Sequence, residues 1–213
     1  AAAAFEMYHT VSLQKGKSMG TAHMRRGKAT VHNNWNQNTA VLSGDALLIC
    51  WNVMLENVER EKLPEVQKEF NKLALEVCEG QQYDIDFESR DKVSLAEYMN
   101  MIRLKTAVLM AGACKIGAII GGASEVESDI LYRFGLEFGF GFQLQDDYLD
   151  TYGTAEILGK NIGGDIEEKK KTFLTINARQ EAGDATRRAM LSTLDDQSLP
   201  LSHKISRIRT IYN

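Results

Sequence analysis

The chain has 213 residues, 44% hydrophobic and 25% charged, with a formal net charge of -4. That length allows one domain with a sizeable core, and the balance is globular rather than disordered or fibrous. A negative chain has no general attraction for nucleic acid, and neither a run of 18 or more apolar residues nor a basic-then-apolar signal peptide occurs.

Only Pro64 and Pro200 interrupt long stretches rich in Leu, Ala, Glu, Lys and Met, which predicts a mainly helical chain. Cys50, Cys78 and Cys114 are odd in number and widely spaced, so they read as reduced core residues of a cytosolic protein. The opening Ala1 to Ala4 has neither a Met nor a helix cap, as if the chain began inside a helix.

Ala1 to Leu13 reads as a helix, with His9 a satisfied core or cleft residue because no HExxH-type spacing accompanies it. Gln14 to Ala22 is polar with two glycines, which is loop chemistry. Arg25, Arg26 and Lys28 surround Gly27, either as a solvated basic loop or as a grip for an anion. Asn38 to Val58 reads as an apolar helix; Asp45 within it would need a partner if buried, and is either a structural hydrogen-bonding residue, the preferred reading, or a cleft residue. Pro64 opens the next helix, which runs to Glu79 with Gly80, Gln81, Gln82, Tyr83 and Asp84 in or beside its end. Ser94 then caps a helix, with Glu97 at the capping-box position. That helix carries Lys105 and Thr106, then small residues from Gly112 to Ala123 that suit close packing. Lys105 stands alone among apolar residues, and a buried ammonium needs an anion.

Ile130 to Phe142 has the apolar and small residues of a deeply buried helix, and it leads into FQLQDDYLD at Phe142 to Asp150. On a helix Asp146 and Asp150 share a face, with Asp147 beside them and Gln143 one turn earlier. Close carboxylates repel, and three hard oxygens in one turn suit Mg²⁺, which shares its shell with water and phosphate. Lys160, Lys169, Lys170 and Lys171 follow, natural complements to a diphosphate. The plainer reading is a solvated acidic helix end and an exposed basic loop. Thr172 to Ala182 and Asp184 to Leu194 read as helices separated by Gly183, and Pro200 starts a last one. No repeat or linker divides residues 1–213, which predicts a single all-α domain.

The ordered set FQLQDDYLD, Gly159-Lys160 and GGDIEEKKKTFL resembles the second aspartate-rich motif and lysine-bearing tail of the trans-isoprenyl diphosphate synthases, the polyprenyl synthetase family. The resemblance extends through Arg25 to Lys28, Thr39 to Leu48, Glu79 to Asp84 and Lys105 to Gly122. It implies an all-α, isoprenoid-synthase-like helical bundle around a central cavity. It also implies a Mg²⁺-dependent transferase, cytoplasmic and homodimeric, that condenses an allylic diphosphate with isopentenyl diphosphate in isoprenoid biosynthesis. Asp146, Asp147 and Asp150 would hold the metal. Arg25, Arg26, Lys105, Thr106, Gln143, Lys160 and Lys170 would bind substrate, with Lys105, Gln143 and Lys160 also catalytic. Gln81 and Asp84 would face the cavity as a second tier.

Where the family carries its first aspartate-rich motif this chain has Gly16, Lys17 and Gly20, although the spacing to Arg25 is kept. This departure carries the alternative of a catalytically impaired or non-catalytic synthase subunit. The family's upstream Gly-Gly-Lys-Arg-type segment is also missing, so the domain is expected to lack its N-terminal helices. A terpene cyclase, of the same fold class, would not need the basic site that Arg25 and Arg26 suggest.

Overall fold

The computed structural model describes residues 1–18, 24–25, 28–154 and 162–213, with side chains described in 1–12, 29–154 and 162–213. The helices are α1 Ala2–Ser18, α2 Val31–Asn34, α3 Gln37–Leu55, α4 Leu63–Ser89, α5 Leu95–Ile102, α6 Val108–Gly121, α7 Glu125–Tyr152, α8 Gly164–Glu167, α9 Phe173–Glu181, α10 Asp184–Asp195 and α11 Leu201–Tyr212. A π-helical turn, Arg103–Ala107, joins α5 to α6. Two-residue strands at Met24–Arg25 and Lys28–Ala29 pair antiparallel and are the only extended pairing among the described residues. The fold class is all-α, as the sequence implies. Helix α1 runs past Leu13 to Ser18, where a loop is expected, because Gln and Lys are good helix formers and carry the backbone over one glycine.

The chain forms two compact units. The first comprises Ala1–Cys78 and Ala107–Gly139. Its core is set by α4, where Val66, Phe70, Leu73 and Val77 recur every three or four residues and are all buried. Burying such a side chain contributes about 1.5–3 kcal/mol. Phe70 stacks on Trp51 with ring centroids 3.9 Å apart and takes the edge of Tyr8 at 5.3 Å, while the Tyr8 hydroxyl donates to the Ala74 carbonyl at 3.0 Å. Lys115 on α6 joins Glu69 at 3.4 Å and Asp129 at 3.0 Å. The small residues of α6 divide: Gly112 lies against Leu73, whereas Gly117 and Gly121 meet open space.

Three expectations are corrected in this unit. Helix α7 is not buried all round: Val126, Ile130, Phe134 and Phe138 are 59–70% exposed. They recur every fourth residue and so stay on one face, and a helix this apolar has more apolar side chains than one core-facing stripe takes in. Asp45 is exposed, on the same helix that shows Val41, Leu42, Ile49 and Val53 to the outside. Cys50 and Cys78 are exposed and Cys114 half-buried, so these free thiols are not core residues, which follows from their lying off the buried stripes of α3 and α4.

The second unit comprises Glu79–Thr106 and Phe140–Asn213. Helix α4 continues to Ser89, so Gly80 to Asp84 lie in its body. Ser94 and Glu97 form the expected capping box at the start of α5. The Ser94 backbone N–H and hydroxyl, with Arg90, lower the Glu97 carboxyl to about 2. One cluster packs Phe87, Val93, Tyr98, Met101, Ile102 and Ile176; another packs Ile166, Met190, Leu194, Ile205 and Ile208. Thr172 caps α9 by accepting from the Thr175 N–H, and Pro200 directly precedes α11.

Candidate functional site

The last turns of α7 reverse the pattern of its first part, for here the acids are inside. Asp147 is 4% exposed and Asp150 1% exposed, whereas Phe142 and Tyr148 are out. A buried carboxylate must be satisfied by donors, and each of these is. Asp147 Oδ2 accepts from the Tyr98 hydroxyl at 2.5 Å and the Phe173 N–H at 3.3 Å, while its Oδ1 accepts from Gln143 Nε2 at 2.9 Å. Gln143 Oε1 in turn accepts from Thr106 Oγ1 at 2.8 Å. Burial raises the Asp147 pKa against the pull of its three donors, and burial with the Asp147 charge drives the Tyr98 phenol far above its ordinary value.

Asp150 serves the chain that follows. Its Oδ2 accepts from the Asp165 N–H at 2.9 Å and its carbonyl from the Gly163 N–H at 2.8 Å, drawing the GGDI segment back to the end of α7. Asp146 is the half-buried member of the three. The three acids therefore do not gather into one ligand set: among the described residues no group of three His, Cys, Asp or Glu side chains is placed to hold an ion.

Opposite charges meet around the π turn. Lys105 Nζ lies 2.6 Å from Asp84 Oδ2, which supplies the anion that the sequence demands. Helix α4 can approach that closely because Gly80 has no side chain; a Cβ there would stand 2.2 Å from the Lys105 backbone nitrogen. The wider π turn offsets Lys105 and Thr106 from the register of α5, and such turns mark functional positions in many helices. Lys170 bridges Asp165 at 3.4 Å and Glu168 at 3.0 Å. Burial works to lower its pKa, but Asp165, Glu168 and Asp84 outweigh that and hold the ammonium charged. Lys169 adopts φ 55, a left-handed residue that sends successive lysines to different partners: Lys169 to Asp195 at 2.6 Å and Lys171 to the Glu88 carbonyl at 3.4 Å.

The structure thus brings together Lys105, Thr106, Gln143, Asp147, Asp84 and Lys170 within one unit. Gln81 is half-buried, and its side chain makes no hydrogen bond among the described residues. Arg26 and Lys160 lie outside the described residues, as does the side chain of Arg25, whose backbone pairs with Lys28. Tyr98 is absent from the sequence reading; its only signal is a polar-tipped ring on the buried stripe that also holds Met101 and Ile102.

The sequence profile of the polyprenyl synthetase family matches residues 1–211. The chain belongs to that family. It is 41% identical over 180 residues to a geranylgeranyl diphosphate synthase of Methanosarcina mazei, covering 84% of this chain and 56% of the relative. A short chain isoprenyl diphosphate synthase of Methanothermobacter thermautotrophicus is 39% identical over 194 residues, 91% of this chain and 60% of that protein. The crystal structure of a geranylgeranyl pyrophosphate synthase superposes with a TM-score of 0.92 at 40% identity, over 98% of this chain and 65% of the other. A polyprenyl synthase from Caulobacter crescentus CB15, solved with calcium and isoprenyl diphosphate, superposes with a TM-score of 0.86 at 29% identity, over 99% of this chain and 64% of that one. The chain therefore spans less than two thirds of the length of these relatives.

Proposed function

We propose that this chain belongs to a prenyltransferase that joins an allylic diphosphate to isopentenyl diphosphate in isoprenoid biosynthesis. The observation that carries this reading is Lys105, held 2.6 Å from Asp84 and next in the chain to the Thr106–Gln143–Asp147 hydrogen-bond chain. The ammonium groups of Lys105, on Asp84, and of Lys170, on Asp165 and Glu168, suit a polyanionic leaving group, and no nucleophilic side chain is required. Lys105 and Lys170 bind diphosphate and Thr106 and Gln143 orient it; by resemblance Arg25, Arg26 and Lys160 are also diphosphate ligands.

Mg²⁺ fits the residues that stay accessible. It keeps several waters and takes one or two carboxylates plus phosphate oxygens, a need that the half-buried Asp146 suits by its partial exposure, whereas Asp147 and Asp150 are buried. Bound there, Mg²⁺ would supply positive charge to the departing diphosphate. The Caulobacter relative was solved with calcium and isoprenyl diphosphate, which supports reading a divalent cation here. Asp146→Ala is expected to abolish Mg²⁺-dependent binding of a diphosphate analogue while leaving the fold intact. Calorimetry with and without Mg²⁺ measures it, and unchanged affinity in the variant would defeat the metal assignment.

A homodimer is part of the same reading. Helix α3 exposes Leu42 and Ile49 at 68% and 66%, with Val41 and Val53 beside them, an apolar stripe of the kind that subunit interfaces cover. Helices Gln37–Leu55 and Leu95–Gly121 are also long and apolar enough to cross a membrane by length and composition. Reading the α3 stripe as an interface goes with a cytoplasmic setting, which the three free cysteines favour. Sedimentation at micromolar concentration should give twice the chain mass; a monomer would count against the interface.

A further inference from the structure

The buried acid of α7 has one more consequence. An ionised carboxylate only accepts hydrogen bonds, so Asp147 dictates which end of the Gln143 amide faces it. With Oδ2 taken by the Tyr98 hydroxyl and the Phe173 N–H, Oδ1 is left for Gln143 Nε2, and the Gln143 carbonyl must turn to Thr106. One N–H of the Gln143 amide is then used, and its second has no partner among the described residues. Were the amide reversed, it would set a carbonyl against Asp147 and lose its bond to that carboxylate.

We propose that Tyr98 is a positioning residue: by holding the Asp147 carboxylate it fixes the Gln143 amide with a spare N–H available to a diphosphate oxygen. The inference rests on the diphosphate-binding reading above. Tyr98 never meets the ligand itself. It is 1% exposed, and its effect passes through Asp147 to Gln143 and Thr106, all in the second unit. Removing the hydroxyl leaves the ring and its packing against Phe173, but it frees the carboxylate to rotate and the amide to turn.

The test is a double-mutant cycle read by calorimetry with inorganic diphosphate, in EDTA and in Mg²⁺. Tyr98→Phe should weaken diphosphate binding about tenfold, the scale of one mispositioned charge-assisted hydrogen bond, and by the same factor in both solutions. In a Gln143→Leu background, which has no amide to orient, Tyr98→Phe should change affinity no further. Equal losses in both backgrounds would make Tyr98 merely structural and overturn the proposal, as would no loss in the native background. A loss confined to the Mg²⁺ arm would overturn it in favour of Asp147 as a metal ligand. Failure of the unmodified protein to bind diphosphate in either solution would instead overturn the functional reading, and the positioning role with it.

Discussion

Gly80→Ala is expected to lower stability by about 2 kcal/mol, which is roughly 4–8 °C in unfolding midpoint for a chain of this size, and to weaken diphosphate binding at least tenfold. The added methyl would lie 2.2 Å from the Lys105 nitrogen, 2.6 Å from its Cα and 2.7 Å from the Leu104 carbonyl carbon. All three are backbone atoms, so no side-chain rotation relieves the contact; α4 and the π turn must separate. Separation moves Lys105 away from Asp84, their link now 2.6 Å, and takes Thr106 off Gln143. Alanine is otherwise about 1 kcal/mol better than glycine inside a helix, so the loss appears only if the close approach is real. Gly117→Ala provides the internal contrast, since a Cβ there meets nothing within 4 Å and should stabilise α6 by up to about 1 kcal/mol. Thermal unfolding of the two variants should therefore shift in opposite directions. A Gly80→Ala protein as stable as the native one, with unaltered diphosphate affinity, would show that α4 and the π turn do not touch.

Much of this unit is written locally in the chain. The capping box at Ser94 and Glu97 and the breaks at Gly183 and Pro200 rest on contacts within a few residues, which a reader of sequence can count. The anion for Lys105 is foreseeable in kind but not in identity: burial demands a counter-charge, yet Asp84 lies on another helix and reaches it only because Gly80 is small. The different partners of the three α7 acids are not legible for the same reason. Helical spacing places Asp147 beside Asp146, but the donors that occupy it come from Tyr98 and the Phe173 backbone, 49 and 26 residues away. The exposed Phe134 and Phe138 show the converse error. Composition makes that stretch look buried all round, while burial depends on how many neighbours the fold sets against each face.

The largest change in rate is expected at the other end of the chain. The family's first aspartate-rich motif falls on Gly16, Lys17 and Gly20, and Gly16 and Lys17 belong to the final residues of α1. By resemblance, acids at these positions bring two further divalent cations to the allylic diphosphate as it leaves. Without them, on the proposed reading, a leaving diphosphate would lack the positive charge of those two cations. Lys15 and Lys17 do not make good the difference, because an ammonium on a flexible stem is one dispersed charge, whereas a metal chelates oxygens of protein and substrate together. On the alternative of a catalytically impaired subunit, a deficit of ~4 kcal/mol in transition-state stabilisation would be about a thousandfold in rate, or roughly 10⁻² s⁻¹ against a common enzyme value of about 10 s⁻¹. Gly16→Asp, Lys17→Asp and Gly20→Asp together should recover most of that factor, assayed with allylic and isopentenyl diphosphates and Mg²⁺ in chains carrying the N-terminal part of a relative fused ahead of them. The affinity for inorganic diphosphate without Mg²⁺ should fall slightly, since three negative charges are added and one positive charge removed, so a gain in turnover would come from metal recruitment rather than from tighter anion binding. Turnover near 10 s⁻¹ by the fused chain with Gly16, Lys17 and Gly20 in place would show that the cations already present suffice, and no gain in the triple variant would place the deficit elsewhere in the site.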